Sequence, residues 1–561
     1  MPIGAQILKF FQFKEPVTEP EFVLAWDKPE ESSAGQKREP VKIVNQPTAL
    51  DDHPDWKLTG EPLRDAANFI RFFGEPGNQV LGQRQFTTGK STIVILFCQY
   101  LIEPRQHLAM VLEPVSKISR YDLQNVLTAL SSSWTEVSDD IHYGLKQLEQ
   151  GRSLILIPGE QKFILAGVGQ TPHRPVGEAI NERVIFGPQE GFSEDLATNV
   201  ALVQKRFRSN LLTVETVEVG SLSRTCCAIL SVNGITNPRL TAEVKRRING
   251  INLSHLTDSG MLEQLIEDST WHLYPQILTT ERPDRVAAAL DEGKVGVLVD
   301  GSQMALIMPI TVIGQLHSME DYSVRWPYAV YLRLIRILGA FLILFLPAFY
   351  LAANLYQPEL LPTDILIALA TIKQPGPLPT IIEVLLLEFI FDVLREAGFR
   401  GPRNMAAPLT MVVGITLSLT AVFTNLINPV LMLVIAVSGI AGFLIPEFST
   451  SLSFRLTRYF YTLIAFVFGF IGIAFGAFIH LHLLAKQKSF GVPMLAPIGP
   501  FTRRSGDIIL INPLPARDQR PDFLDTLRSK KKRKNPRTWK TGQSQSEETP
   551  EDPEGGASKN D

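Results

Sequence analysis

Cysteine is scarce in this chain of 561 residues. Cys98, Cys226 and Cys227 are too few for a disulfide framework and lack the paired spacing of a metal cluster, so buried thiols in a reducing compartment are expected. Charge of one sign does not dominate: the net charge of −3 excludes a global basic field for nucleic acid. Long apolar runs are missing from the first 336 residues. The opening MPIGAQILKFFQFK has neither a basic start, a long apolar run nor a small-residue cleavage site, so it does not read as a secretory signal. Catalytic sets are missing too. No Cys/His pair, Ser/His/Asp arrangement or paired metal ligands fall in segments suited to a soluble pocket, so no enzyme activity, cofactor or metal is expected. His480 and His482, two apart at a helix end, do not share a face as i, i+4 ligands would, and read as interfacial histidines.

One stretch imitates a nucleotide site. Gly89-Lys90-Ser91-Thr92 resembles the end of a phosphate-binding loop, but Arg84 stands where the first glycine is required, and STIVILFCQYLI follows where a helix should begin. That β-branched and aromatic run reads as a strand, which makes Thr88-Gly89-Lys90 a hairpin turn. An internal repeat agrees. RQFTTGKSTIVILFCQYLI from Arg84 resembles VEVGSLSRTCCAILSVNGI from Val217, and EQGRSLILIPGEQKFIL from Glu149 resembles DEGKVGVLVDGSQMAL from Asp291. Each unit places a first hairpin, then helical sequence such as PRLTAEVKRRINGI, then a second hairpin turning at Pro158-Gly159 or Asp300-Gly301. The soluble part is therefore expected to be two repeated α/β subdomains.

Within it, Glu281-Arg282-Pro283-Asp284-Arg285 reads as a helix start with proline at its first position, the alternative being a polar hub between subunits. Glu190 or Glu194 is expected to cap the helix EDLATNVALVQKRF.

Apolar sequence takes over after Arg336. Ile337 to Tyr356 carries no charge over a length that matches a hydrocarbon core and reads as a transmembrane helix. Further candidate spans are Ala406 to Thr424, Leu426 to Ile445, and Tyr459 to Ile479, whose Gly469, Gly472 and Gly476 suit close helix packing. Thr380 to Gly398 is apolar but acidic, with Glu388, Asp392 and Glu396 on one helical face. Such a helix lies at the interface, packs inside a bundle or lines water. Between Ala406 and Thr424, Thr416, Thr420 and Thr424 recur every four residues with Val413 and Leu417 near the same line. That stripe is a candidate pore lining, or a packing face whose hydroxyls bond their own backbone. Arg333 and Arg336 place the N-terminal region in the cytoplasm by the positive-inside rule; charge counts leave the parity of crossings and the side of the C-terminus open. SKKKRK, Ser529 to Lys534, reads as a basic disordered tail near anionic lipid.

Six collinear segments carry a resemblance: RVIFGPQEGFSEDLATNVALVQKRFRS from Arg183, LTDSGMLEQLIED from Leu256, PQILTTERPDRVAAALDEGKVGVLVDGS from Pro275, MEDYSVRW from Met319, LLLEFIFDVLREAG from Leu385 and SFGVPMLAP from Ser489. They resemble the A subunit of GerA-type spore germinant receptors, over about Gln79 to Pro500. The resemblance implies a multi-pass protein of the bacterial spore inner membrane that forms homo-oligomers and works with a transporter-like B subunit and a lipoprotein C subunit. It implies no catalysis. A nutrient-gated cation channel, a non-conducting scaffold and a permease component are the functions it leaves open.

The expected organisation is an irregular or disordered extension over 1–78, α/β subdomains over 79–175 and 176–320, a membrane domain of four to six helices over 321–484, and a C-terminal segment over 485–561.

Overall fold

The computed structural model describes residues 56–531 apart from 74–79, 90, 103, 133, 168–176, 178, 180–181, 183, 361–377, 401–410, 412–413, 417–418, 421–422, 424–426, 502–506 and 508. An N-terminal α/β region precedes a helical region. A first unit runs α1 (Pro62–Phe72), β1 (Leu81–Thr88), β2 (Ser91–Cys98), a helical stretch over 104–116 (α2), α3 (Leu123–Ala129), β3 (Thr135–Ser138), α4 (Ile141–Glu149), β4 (Ser153–Leu156) and β5 (Phe163–Ala166). A second follows with α5 (Leu196–Arg206), β6 (Leu212–Val219), β7 (Thr225–Val232), α6 (Pro238–Asn249), α7 (Ser259–Ile266), β8 (Leu278–Thr280), α8 (Pro283–Glu292), β9 (Val295–Val299) and β10 (Ala305–Met308).

The two sheets have one topology. Their strand orders are β1-β2-β4-β5-β3 and β6-β7-β9-β10-β8, with antiparallel neighbours throughout. The first hairpin pairs Thr88 with Ser91, and Gly89 turns it at φ 64°, a backbone conformation that glycine adopts without strain. The segment that imitates a phosphate-binding loop is thus a turn between paired strands.

Strand burial explains the layers. In β2, Ile93 and Ile95 face one side and Val94 and Leu96 the other, and all four are fully buried. Val94 and Leu96 join a core shared with Leu230 and Leu298 of the second sheet, between α1, α4, α5 and α8. Ile93 and Ile95 pack under α2 and α3, as Ile229 and Val297 pack under α6 and α7.

Two expectations need correction. The irregular extension does not reach residue 78: α1 lies within it, Phe69 is fully buried, and Trp56 meets Phe69 edge-on at 4.8 Å. Its counterpart in the second unit is α5, so each repeat begins with a helix that a comparison of strand sequences passes over. The cap of α5 is neither Glu190 nor Glu194 but Asp195, which accepts from the Thr198 amide at 2.8 Å. The shorter aspartate reaches its own helix end, while Glu190 pairs with Arg206 at the opposite end, 2.6 Å away.

The helical region holds α9 (Trp326–Tyr356), α10 (Thr380–Arg400), α11 (Pro429–Ala441) and α12 (Phe448–Lys486), and the described residues of 411–423 are also helical. Among the described residues two helices, α9 and α12, are by length and composition apolar enough to cross a membrane. The expected span over 426–445 is instead the thirteen-residue α11, capped by the Asn428 side chain; at about 1.5 Å per residue it is roughly 20 Å long.

α12 is folded in two. Gly469 adopts φ 58°, ψ −143°, a combination closed to residues with a β-carbon, and the chain reverses there. The Tyr461 hydroxyl of the outward leg lies 2.9 Å from His480 Nδ1 of the return leg. Gly472 and Gly476 face Ile464 and Tyr461, so the helix they admit closely is the outward leg of their own hairpin. Tyr356, at the far end of α9, donates to the Phe466 and Val467 carbonyls at the hairpin tip.

Both ends of α12 therefore lie beside the α/β region. Gln487 donates to the Tyr274 carbonyl, the Phe490 amide donates to Asp268, and Phe490 is buried in the outer core of the second sheet. The chain continues across that unit. Arg520 bonds Asp291, the Leu527 amide donates to the Ile235 carbonyl, and Phe523 and Leu524 pack on Val492 and Ala496. Lys531, expected in a disordered basic tail, pairs with Asp291 at 3.2 Å; Lys532 to Lys534 lie outside the described residues.

Candidate functional site

Charged groups concentrate where the second α/β unit meets the helices. α8 begins with Pro283 at its first position, as expected of a helix start, and its first turn turns two arginines inward. Arg282, fully buried, reaches Asp284 at 2.7 Å and the carbonyls of Glu182 and Pro188 at 3.0 and 2.8 Å, which ties the preceding loop down. Arg285 lies 3.1 Å from Glu182 and 3.7 Å from Glu447, the residue at the N-terminus of α12. The polar hub weighed between subunits is thus a hub within one chain. Burial pushes the Glu447 carboxyl up to about 7 against the opposing pull of Arg285. Thr279 and Thr280 of β8 donate to Glu447 and Glu182 at 3.3 and 3.1 Å, which completes the cluster.

Beside it, Asp321 accepts from Arg333 at 3.0 Å and from Arg336 at 2.7 Å, all three buried. Arg333 also reaches Asp507 of the C-terminal segment. Gln315, fully buried, donates to the Pro275 carbonyl and accepts from Thr450, joining α/β loop to α12.

A second charged layer lies inside the helices. Glu388 is fully buried at 3.2 Å from Arg458. Asp392 pairs with Arg458 at 3.2 Å and Arg455 at 3.3 Å, and accepts from the Tyr459 hydroxyl at 2.9 Å. Glu396, the third acid of the stripe, is exposed. Of the three placements open to the acidic helix, these contacts are those of packing inside a bundle. The Arg395 guanidinium stacks over Phe443 at 4.4 Å and reaches Ser451 at 3.5 Å.

Arg333, Arg336, Arg455 and Arg458 thus all have carboxylate partners within the chain. α10 starts beside Tyr350 and Leu351 at the far end of α9 and finishes with Arg395 near Gly442 and Ser451. Ile427 belongs to the same buried cluster as Tyr350, and α11 leads from it to Gly442 beside Arg395. With α12 folded at Gly469, the α/β region and residues 487–531 lie at one end of the helices.

Of the threonine stripe, Thr416 and Thr420 are helical and exposed on the single chain, while Val413, Leu417 and Thr424 lie outside the described residues. The histidine pair divides: His480 stacks on Tyr274 at 5.4 Å and His482 is exposed. Among the described residues no group of three His, Cys, Asp or Glu side chains is placed to hold a metal ion. Sequence reasoning named Glu388 and Asp392 but missed Glu447 and Gln315, whose partners lie far along the chain, and Asp321, which stands 12 and 15 residues before its two arginines.

A family model described as Bacillus/Clostridium GerA spore germination protein matches residues 69–523. The chain belongs to the GerA family. Spore germination protein KA of Bacillus subtilis (strain 168) is 32% identical over 379 residues, 67% of this chain and 70% of that protein. The uncharacterized membrane protein YfkQ of the same organism is 33% identical over 385 residues, 68% of this chain and 74% of its own length. A crystal structure of the N-terminal domain of the A subunit of the Bacillus megaterium spore germinant receptor GerK3 aligns with 45% of this chain and 96% of its own, at 20% identity and a TM-score of 0.34, too remote to carry an argument. The GerA match runs from the last turn of α1 through both α/β units and the remaining helices to Phe523 of the C-terminal segment.

Proposed function

We propose that this GerA-family chain is a multi-pass membrane subunit of a spore germinant receptor and helps trigger germination in response to nutrients. In this reading several copies form a cation channel in the spore inner membrane, with a transporter-like B subunit and a lipoprotein C subunit as partners and the α/β region in the cytoplasm. Residues 487–531 then share the cytoplasmic side.

The observation that carries it is the exposure of Thr416 and Thr420 on a helix among apolar neighbours. Two exposed threonines on one helix suit a ring of copies around a partly hydrated path better than a lipid-facing surface. The stripe of Val413, Thr416, Leu417, Thr420 and Thr424 is the proposed lining. Glu388 and Asp392 are not, since each already faces an arginine. Arg285 and Glu447 would connect sheet to hairpin, so that a rearrangement of the α/β region biases the helices.

The test is ion efflux from liposomes holding the chain with and without its B partner. Nutrient-dependent efflux that changes in Thr416→Val and Thr420→Val supports the channel. Efflux unaffected by both substitutions, with oligomer mass intact, would leave the scaffold reading.

A further inference from the structure

A loop of the second α/β unit descends alongside the helices. Between α7 and β8, residues 269–276 (STWHLYPQ) leave the sheet. Tyr274, only 5% exposed, sets its ring between Phe454 at 5.5 Å and His480 at 5.4 Å, with its hydroxyl 3.4 Å from that of Thr457. The Leu273 carbonyl accepts from Ser453. These partners lie one to two turns inside the two ends of α12. At that level α12 exposes Leu452 and Leu456 on the outward leg and Leu481 and Leu483, with His482 between them, on the return leg.

α9 gives the same depth marker independently. Its exposed face reads Tyr328 and Tyr331, then Leu334, Leu338 and Phe341. Polar-tipped aromatics giving way to hydrocarbon within a turn is the order found where a helix enters a bilayer. Phe345 of α9 meets Tyr461 at 4.6 Å, and Phe454, the partner of Tyr274, lies two turns before Tyr461 on α12, which sets Tyr274 at the level of the apolar part of the α9 face. Trp271 and Leu273, next to Tyr274 in the loop, are 48% and 45% exposed.

The geometry points to residues 269–275 as a loop inserted into the near leaflet, Trp271 at the headgroup boundary and Leu273 against acyl chains. Lipid is the occupant because the loop's exposed apolar side chains continue the exposed apolar surface of α12. The α/β region is then seated on the bilayer through its second unit. This inference rests on the membrane reading above, and the experiment separates the two.

A fluorophore is attached to the full chain in liposomes through Trp271→Cys, with Leu338→Cys on α9 and Leu222→Cys in the β6–β7 turn as references. Cys226 is replaced by Ser, and the buried Cys98 and Cys227 are kept. Lipid-borne nitroxide should remove most of the emission at 271 and 338 and little at 222, while aqueous iodide does the reverse. Iodide quenching at 271 as strong as at 222 overturns the inference, and so does shielding from both quenchers, which would mean that protein, such as a second copy, covers the loop. Loss of lipid quenching at 338 sinks the membrane reading and the inference with it. Leu273→Cys repeats the measurement should Trp271→Cys fail to fold.

Discussion

The two α/β units share a strand order, yet they are held differently. Around the first sheet, ion pairs such as Lys117 with Glu113 stand in water, at 71% and 53% exposure. Among the described residues, polar contacts from Arg285, Gln315, Tyr274 and Asp268 of the second unit hold α12 and the segment that follows it. A duplicated unit therefore carries two jobs. One copy completes the shared core, and the other is the base on which the helices stand.

The largest expected effect breaks the comparison at its most buried charge. Arg458→Ala strands Glu388 without its partner and strips Asp392 of one of two, a change that should cost about 3–5 kcal/mol. Thermal unfolding of the detergent-solubilised chain measures it. A variant as stable as the parent would mean that Glu388 is protonated and the pair idle.

Phe490→Ala should cost nearly as much, about 3–5 kcal/mol, by opening a cavity in the outer core of the second sheet. Limited proteolysis should then release residues 487–531. Phe163→Ala removes a fully buried ring from the first sheet and should cost a similar amount while leaving that segment protected. Release by both variants would show that the shared core makes the two units a single cooperative block.

A pH effect comes next. The Glu447 carboxyl is raised from 4.5 to about 7, so the folded chain holds this proton more tightly than the unfolded one. Its contribution to stability is complete below pH 4.5 and is lost as pH rises through 7, about 3 kcal/mol across that window. Glu447→Gln should flatten the dependence of the unfolding midpoint over this range. An unchanged slope would assign the titration to other groups, such as Glu263, which burial raises to about 8 in the same direction.

The smallest effect should come from the exposed pair of the first unit. Lys117→Ala is expected to change stability by less than about 0.5 kcal/mol, since solvent screens both charges. A loss comparable to that of Arg458→Ala would erase the distinction between the units.

Local chemistry made much of the fold legible. The alternation and β-branched content of 91–98 and 225–232 gave strands, Gly89 and Gly301 gave turns, and Pro283 gave a helix start, because each depends on residues a few positions apart. The charge-free run from Ile337 is equally local. The register of the repeat followed from comparing the chain with itself, and it passed over α1 because α1 and α5 share amphipathicity rather than letters.

Tertiary structure alone decided the rest. Glycine is at home in apolar helices as a packing residue, and only the contact of Tyr461 with His480 and the backbone of Gly469 identify a reversal there. The pairing of Asp392 with Arg455 and Arg458, of Arg285 with Glu447, and of Arg520 with Asp291 joins residues 63 to 229 positions apart. A carboxylate on an apolar helix has the same letter whether it lines water or closes on an arginine. The sequence determined that the charge would be there; packing determined what neutralises it, because desolvation and Coulomb attraction depend on distance through space and not along the chain.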